Sequence, residues 1–402
     1  MPAATPPITT SGCCNISPLR TFTNFVFYSV FVFSLFILLF SLSSCRTTLI
    51  VCRFCGTGIV CGSFGEANRI PKTTGDDLLT VYQMPVWELQ SLPGLAQVET
   101  RLKEFSQAND RLTAHFSATV TVGGKRLRPA LVLLCGAFYR ARQNQLIDIA
   151  TAVELIHTAS LVHDDIIDNA ATRRGKPTLS AEWGVQKAVL YGDFLFARAF
   201  SLLSKHGLNG TLGNMTQAIS LMCEGEIEQS ALLFNCDVTE ADYFSYIHKK
   251  TAYFLSACCL AGAEACGMPV AEKRLLAAFG LQLGYAFQLT DDLLDISGSA
   301  TGMGKAVMQD IKEGNLTLPL IKLLQDKRHG CAVRQLIAEK DFSAANLQFI
   351  RQTLLRCGIL AETNEKAGLL LKRAKQNLEK LPLKPPRLLL TRLADYVAHR
   401  TS

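Results

Sequence analysis

The sequence predicts an all-α protein, a bundle of helices around a central cavity. From Leu92 onward, apolar residues recur at spacings of three and four, which is the period of a helix with one buried face. Long stretches are rich in Ala, Leu, Lys, Gln and Glu and contain few prolines, which favours helix. Strand-like alternation is scarce, and no fixed-period repeat is present.

The predicted helices follow one another from about residue 86 to residue 380. Their boundaries follow the three-four pattern and the Gly, Pro and polar residues that flank it. The ranges are about 86–118, 128–140, 145–170, 182–205, 211–233, 239–266, 271–297, 316–326, 343–356 and 360–380. The helices at 145–170 and 271–297 are long and apolar, and each carries an acidic motif near its C-terminal end.

Residues 164–168 and 291–295 share the pattern Asp-Asp-x-x-Asp in otherwise apolar sequence. On a helix, residues four apart share a face, so Asp164 points with Asp168 and Asp291 with Asp295. Partly buried carboxylates placed together repel one another unless a cation lies between them. Oxygen ligands without paired His or Cys favour Mg²⁺, which binds carboxylates together with substrate phosphates.

Polar and basic residues accompany the two motifs along the chain. The pair Gly123-Gly124 leads into a helix start with Lys125 and Arg128, a pattern that suits a diphosphate. Taken alone, this stretch reads more simply as a solvated basic helix start. Other polar residues near the motifs are His157, Arg173, Arg174, Lys176, Lys250, Thr251, Gln288 and Lys305. Together they predict two carboxylate clusters ringed by cations that suit diphosphate oxygens.

The unit Glu154-x-x-His157 raises a second metal hypothesis, because pairs of such units bind di-iron in four-helix proteins. No other His in the chain has Glu three residues before it. A di-iron site needs two units, so this hypothesis is disfavoured.

The first 83 residues differ in composition from the rest. Residues 25–43 carry no charge and are long enough for one membrane span or a targeting segment. A cleaved signal, a bipartite organelle leader and a lipoprotein-like site at Cys45 are alternatives. Residues 46–83 read as a linker, and a start at Met84 would make everything before it an upstream extension.

Composition limits the class of partner. The 402-residue chain is 49% hydrophobic and 19% charged, with a net charge of +7 and no dense basic tract, so small anionic ligands are expected and nucleic acid is not. Six of the fourteen cysteines precede residue 62, and the other eight read as reduced core residues. The pair Cys52-x-x-Cys55, with Cys61, lacks a fourth ligand nearby for zinc.

From Met84 to its C-terminus, the chain resembles the trans-isoprenyl diphosphate synthases, specifically the long-chain polyprenyl group. The residues that carry the resemblance are Gly-Gly-Lys-Arg-Leu-Arg-Pro at 123–129, Leu-Val-His-Asp-Asp-Ile-Ile-Asp at 161–168, Thr172-Arg173-Arg174-Gly175, Gly192-Asp193, Gly225-Glu226, Lys250-Thr251, 287–295, Gly304-Lys305 and Asp310. It implies an isoprenoid synthase-type helical bundle and one catalytic domain at 84–402. One departure is Asn315, where many relatives carry Lys.

The resemblance implies a Mg²⁺-dependent prenyltransferase that condenses isopentenyl diphosphate with an allylic diphosphate of the farnesyl or geranylgeranyl type. The implied Mg²⁺ ligands are Asp164, Asp168, Asp291 and Asp295. The implied catalytic residues are Asp164, Asp165, Asp168, Arg173, Lys250, Asp291 and Asp292. The implied contacts of isopentenyl diphosphate are Lys125, Arg128, His157 and Arg174, and those of the allylic diphosphate are Arg173, Lys250, Thr251, Gln288 and Lys305.

In this family, product length depends on the residues four and five positions before the first motif, here Ser160 and Ala159. Five helical residues rise about 7.5 Å, slightly more than one isoprene unit. Small side chains at these positions therefore predict a long-chain product, such as a quinone side-chain precursor. Close helix packing is the alternative reason for small residues there.

Other functions stay open. A medium-chain farnesyl or geranylgeranyl diphosphate synthase and a regulatory subunit of a heteromeric synthase share the fold, and a terpene cyclase shares the helical architecture. Retention of all six acids disfavours a regulatory subunit, and Lys125 with Arg128 disfavours a cyclase. We expect a homodimer or a heteromer, in the cytoplasm or an organelle, with membrane association through residues 25–43.

Overall fold

The computed structural model describes residues 92–107, 125–297 and 308–398. The predicted leader and linker, with the apolar segment 25–43 and the Cys52-x-x-Cys55 pair, lie outside the described residues. So do the glycine pair 123–124 and Lys305. These features, and a domain boundary at residue 84, stay predictions.

The described chain is almost entirely helical, which confirms the all-α prediction. In chain order the helices are α1 (Leu95–Gln107), α2 (Leu127–Gly136), α3 (Gln143–Ile167), α4 (Leu179–Trp183), α5 (Val185–Ser204), α6 (Asn209–Ala231), α7 (Glu240–Ile247), α8 (Tyr253–Ala265), α9 (Val270–Ser297), α10 (Gln309–Glu313), α11 (Leu318–Leu324), α12 (Gly330–Glu339), α13 (Ala344–Arg356), α14 (Ile359–Glu379) and α15 (Pro385–Ala398). Two short strands, β1 (Thr172–Arg173) and β2 (Lys176–Pro177), form an antiparallel hairpin.

The differences from the predicted helices have local causes. The helix predicted at 239–266 is divided into α7 and α8 by a π-helical turn, His248–Ala252. The sequence pattern predicts no helix at α15, which begins with two prolines, yet proline is tolerated in the first turn of a helix. It also predicts none at α12, a short helix with only Gly330, Val333 and Ile337 buried.

The helices that carry the two aspartate motifs lie inside the bundle. Helix α3 packs against α1, α2 and α5, and α9 packs against α8 and α14. By length and composition α3 could cross a membrane, but 72% of its apolar stretch is buried inside the protein. Its long apolar sequence is therefore that of a core helix.

The π-helical turn at 248–252 is clamped between α6 and α9. On the α6 side, a Cβ at Gly225 would lie 3.0 Å from the backbone N of Lys250. On the α9 side, a Cβ at Gly284 would lie 2.5 Å from Cα of Ala252. A side chain at Gly284 would collide with the backbone of the turn, and a side chain at Gly225 would force its neighbours to shift.

A hydrophobic cluster supports the end of α9. It joins buried residues of α7, α9 and α11 to α13, including Tyr243, Leu289, Ile321 and Leu354. In addition, Arg351 of α13 donates a hydrogen bond to the carbonyl of Ser297, at 3.0 Å. The C-terminal helices therefore hold in place the helix end that carries the second motif.

Candidate functional site

The first aspartate motif forms the C-terminal end of α3. Burial raises the pKa of Asp164 from 3.8 to about 7, with the nearby charges of Glu226 and Asp168 also raising it. Burial also raises the pKa of Asp168, the residue that immediately follows α3. Neither carboxylate forms a hydrogen bond or ion pair with another residue in the described part of the chain. Both are therefore open to a cation.

Asp165 points to a different partner. Its carboxylate accepts a hydrogen bond from Nε of Arg173 on strand β1, at 2.6 Å. The hairpin turns at Arg174 and Gly175, both with positive φ, at 53° and 75°. Burial and the charge of Arg173 lower the pKa of Arg174. The short hairpin, which the sequence did not predict, brings Arg173 back to the motif.

The second motif lies at the end of α9. Asp292 is buried and accepts hydrogen bonds from the hydroxyl of Tyr243 and, at 3.0 Å, from Nε2 of Gln288. Burial nevertheless raises its pKa to about 7, with Asp291 and Asp295 adding to that effect. Gln288 in turn accepts a hydrogen bond from the hydroxyl of Thr251, at 2.9 Å. The predicted site residues Thr251, Gln288 and Asp292 thus form one hydrogen-bond network.

Asp295 is engaged by the backbone of α10. Its two carboxylate oxygens accept hydrogen bonds from the N–H groups of Gln309, at 3.1 Å, and Asp310, at 3.3 Å. It therefore stabilises the start of that helix, and its role as a metal ligand stays a prediction. In the described residues, no three of the predicted metal ligands place one oxygen each within 4.8 Å of one another. Among the described residues, the two motifs therefore do not form one closed metal cluster.

The ammonium of Lys250 is held by two residues of α6. It lies 2.5 Å from Oε2 of Glu226 and donates a hydrogen bond to Oε1 of Gln229, at 2.9 Å. Burial opposes its charge, but Glu226 and Asp164 outweigh that effect and raise the pKa of Lys250. Since the charge of Lys250 also lowers the pKa values of Asp164 and Asp168, it faces the first motif.

A second basic region lies at the start of α2. The Arg128 guanidinium is enclosed, lies 5.4 Å from the ring centroid of Phe254, and has a buried Nε without a hydrogen-bond partner in the described chain. Burial lowers the pKa of Arg128, while the charges of Asp291 and Asp164 oppose that effect. Both motifs therefore lie within electrostatic range of one buried guanidinium.

His157 lies beside this region and is uncharged. Burial lowers its pKa well below 6.5, and the charge of Arg128 lowers it further. Glu154 forms an ion pair with Arg126, at 2.6 Å, which occupies the carboxylate that a di-iron site would require. This pairing, with Arg126 held in a left-handed conformation at φ 48°, further disfavours the di-iron hypothesis.

The remaining predicted residues lie at the periphery or in the core. Lys125 is exposed, and its ammonium lies 5.6 Å from the ring centroid of Tyr396. Ala159 is fully buried. Ser160 is half-buried and donates a hydrogen bond to the carbonyl of His157, at 2.9 Å.

The residues present fit Mg²⁺. The donors are hard carboxylate oxygens, and Asp164, which is half-buried, and Asp168, which is exposed, have raised pKa values that a cation would reverse. The buried, unpartnered Nε of Arg128 fits an anionic oxygen in the same way. The site is thus suited to a metal ion and an anion together.

The sequence pattern assigns no role to three residues of this network, Tyr243, Glu226 and Gln229, and marks Asn315 only as a departure from the family pattern. Asn315 accepts a hydrogen bond from Nε2 of Gln229, at 3.0 Å. Gln229 also accepts a hydrogen bond from Lys250, so Asn315 and Lys250 share this partner. The available signal was the motif Gly225-Glu226, whose glycine permits the close contact that brings Glu226 to Lys250. Tyr243 carries no sequence signal of its own.

Comparison with known proteins identifies the family of this chain. The family model described as Polyprenyl synthetase matches residues 109–354. Heptaprenyl diphosphate synthase component 2 of Geobacillus stearothermophilus is 36% identical over 278 residues, covering 69% of this chain and 86% of the relative. Octaprenyl diphosphate synthase of Escherichia coli is 34% identical over 285 residues, covering 70% of this chain and 87% of the relative.

The fold matches solved structures of the same kind. The crystal structure of polyprenyl synthase from Caulobacter crescentus, complexed with calcium and isoprenyl diphosphate, has a TM-score of 0.73 and 32% identity, covering 82% of this chain and 98% of that one. The crystal structure of a decaprenyl diphosphate synthase from Rhodobacter capsulatus also has a TM-score of 0.73. Its identity is 33%, and the match covers 79% of this chain and 100% of that one. The chain therefore belongs to the polyprenyl synthetase family, the prenyltransferases that make polyprenyl diphosphates.

Proposed function

We propose that this chain binds Mg²⁺ between its two aspartate motifs and condenses isopentenyl diphosphate with an allylic diphosphate of the farnesyl or geranylgeranyl type. The observation that carries this proposal combines two features. The carboxylates of Asp164 and Asp168 have no hydrogen-bond or ion-pair partner in the described chain, and the buried Nε of Arg128 has no hydrogen-bond partner there either. Such an acid pair and such a base are stabilised together by a metal ion bound to a diphosphate.

The allylic diphosphate belongs on the side of the aspartates. Asp164, Asp168 and Asp291 would hold Mg²⁺, which when bound neutralises charge that develops on the leaving diphosphate. Lys250 adds a fixed positive charge there because Glu226 and Gln229 hold its ammonium in place. The other proposed contacts are Arg173, Thr251, Gln288 and Lys305.

Isopentenyl diphosphate belongs on the side of Arg128. The guanidinium of Arg128 supplies positive charge and an unused Nε–H. His157 is neutral and contributes a hydrogen bond without charge. Arg174, at the tip of the hairpin, and Lys125, on the exposed edge, complete the proposed contacts. Separate groups of basic residues for the two diphosphates limit the electrostatic repulsion between them.

The chemistry follows from this arrangement. The allylic C–O bond breaks, and both electrons leave with the diphosphate, which Lys250 and Arg173 stabilise. The double bond of isopentenyl diphosphate attacks the allylic cation, and the new cation loses a proton to the departing diphosphate. We assign no side chain as the base, so the role of this chain is to position charge and to exclude water.

We propose a long-chain product, with the tail passing Ala159 and Ser160. The named relatives make heptaprenyl and octaprenyl chains, which supports this length. Both residues are small, and Ser160 turns its hydroxyl to the carbonyl of His157, so neither presents a bulky group to a growing tail.

We propose a homodimer, with a heteromer as the second candidate. Exposed apolar side chains on α5 and α6, namely Leu190 and Ile227, each 67% exposed, and Phe194, at 37%, support a contact between copies. The heteromer is favoured by one observation, a relative whose name describes it as component 2 of a synthase. Cytoplasmic or organellar location, with membrane association through residues 25–43, completes the proposal and rests on the sequence alone.

One assay tests the function. The purified full chain is incubated with Mg²⁺, isopentenyl diphosphate and farnesyl diphosphate, and the prenyl products are separated by chromatography. Long-chain products from the chain alone are expected, with no product after chelation of Mg²⁺ or in Asp164→Asn. A folded chain that makes no product alone, but elongates when a second subunit is added, would support the heteromer instead. A product of only three or four isoprene units would contradict the long-chain proposal.

A further inference from the structure

A group of three potential metal ligands lies in the C-terminal helices, apart from the aspartate motifs in sequence. Asp326 follows α11, His329 immediately precedes α12, and Cys357 immediately follows α13. One ligand atom from each lies within 4.8 Å of the other two. The Asp326–His329–Cys357 cluster therefore brings three kinds of ligand together from two separate helix junctions.

Two of the three ligand–ligand distances in the cluster lie within about 0.5 Å of those around a tetrahedral ion. Nδ1 of His329 lies 2.9 Å from Oδ1 of Asp326 and 3.7 Å from Sγ of Cys357. A zinc ion with ordinary Zn–N, Zn–O and Zn–S bonds places its N and O ligands about 3.4 Å apart and its N and S ligands about 3.5 Å apart. Shifts of a few tenths of an ångström would fit these side chains around one ion.

The backbone already fixes the ligands. Oδ1 of Asp326 accepts hydrogen bonds from the N–H groups of Arg328, at 3.0 Å, and His329, at 2.8 Å. The N–H of Cys357 is bonded to the carbonyl of Thr353, at 2.9 Å, which places the thiol at the end of the α13 ladder. Outer hydrogen bonds of this kind orient metal-binding carboxylates.

A nucleophilic triad is the other reading of a Cys, a His and an Asp together, and the geometry excludes it. In such a triad one ring nitrogen faces the nucleophile and the other faces the acid. Here both the thiol and the carboxylate face the same nitrogen, Nδ1 of His329. Convergence on a single nitrogen is what a shared metal ion requires.

We propose that Asp326, His329 and Cys357 form a binding site for zinc or a similar transition-metal ion, distinct from the Mg²⁺ site. Binding would deprotonate the thiol and release its proton to solvent, with His329 neutral and ligating through Nδ1. The carboxylate and thiolate together balance the two positive charges of the ion. Cys357 is exposed, so the fourth position is open to water.

The site would fasten the α11–α12 connection to the end of α13. Arg351 of α13 also donates a hydrogen bond to the carbonyl of Ser297, and Ser297 lies two residues after Asp295. Metal binding is therefore expected to stabilise the C-terminal helices without supplying any group to the reaction. The proposal does not depend on the proposed function.

Cobalt(II) titration of the full chain tests the site. Excess Mg²⁺ is present to occupy the aspartates, and the thiolate-to-cobalt charge-transfer absorbance in the near ultraviolet is recorded. We expect Cys357→Ser to lose about one equivalent of this signal, and His329→Ala to weaken it. Cys331→Ser is the matched control, since Cys331 is also exposed and lies only two residues from His329; it should keep the signal.

Cys357→Ser is the decisive variant because it removes a single exposed sulfur and leaves the start of α12 intact. The difference between it and the parent also cancels any signal from the cysteines before residue 62. As a second measurement, zinc should raise the melting temperature of the parent more than that of Cys357→Ser. Equal charge-transfer absorbance in the parent and in Cys357→Ser, or none in either, would overturn the proposal.

Discussion

Replacing Asp164 by Asn should abolish prenyl transfer and, in the absence of metal, stabilise the fold. The folded protein raises the pKa of this carboxyl from 3.8 to about 7, mainly by burial. At 1.36 kcal/mol per pH unit, that difference corresponds to about 4 kcal/mol of destabilisation when the group is ionised. Asn has nearly the same shape and carries no charge, so it escapes this cost.

The sign of the pH dependence follows from proton binding. Between pH 3.8 and about 7 the folded state binds more protons at Asp164 than the unfolded state does, so the free energy of unfolding falls as pH rises. In EDTA, Asp164→Asn should exceed the parent in stability by about 4 kcal/mol at pH 8 and by about 1.5 kcal/mol at pH 5.

Equilibrium urea unfolding in EDTA at both pH values measures this difference. Asp237→Asn is the matched control, because Asp237 is an exposed acid paired with Arg334 and its loss should change stability by less than about 0.5 kcal/mol. Mg²⁺ with substrate should remove the advantage of Asp164→Asn by restoring a partner to the carboxylate in the parent. If the variant were no more stable than the parent at pH 8, the reasoning that Asp164 is an unpartnered buried charge would fail.

Three further changes test other parts of the site. Ala159→Phe should shorten the prenyl product on chromatography, whereas an unchanged product would show that the tail does not pass this residue. Tyr243→Phe leaves Asp292 without its hydroxyl donor and should lower the free energy of unfolding by about 1–3 kcal/mol, measured with urea; a smaller change would mean that water replaces the hydroxyl. Asn315→Lys breaks the bond to Gln229 and adds a cation, so we expect roughly tenfold lower KM for the allylic diphosphate; an unchanged KM in steady-state kinetics would separate this position from the diphosphate.

The helical architecture and both aspartate motifs could be predicted because their signals are local. The three-four pattern sets the helices, and the spacing within each motif sets which acids share a face. Contacts between distant segments could not be predicted in the same way. Nothing in the sequence near Asp295 indicates that the N–H groups of α10, fourteen residues on, would occupy its oxygens.

The same limit applies to the π-helical turn and to the partners of Lys250. The sequence pattern from 239 to 266 is helical throughout, and the extra residue in the turn depends on the packing of α6 and α9 around it. Glu226 forms an ion pair with Lys250 across the contact between α6 and the turn, and only the folded structure shows this pairing. Long-range geometry, rather than propensity, decided both features.

The two glycines beside the π-helical turn also bear on how this enzyme could be redesigned. Gly225 and Gly284 contact the turn largely through its backbone atoms, so the position of Lys250 depends on the close approach of α6, α9 and the turn. Ala159 lies on α3, a different helix, so the proposed determinant of product length and the proposed diphosphate contact at Lys250 are in separate elements. Under the proposed function, changes near Ala159 would alter chain length while the glycines and Glu226 continue to hold Lys250.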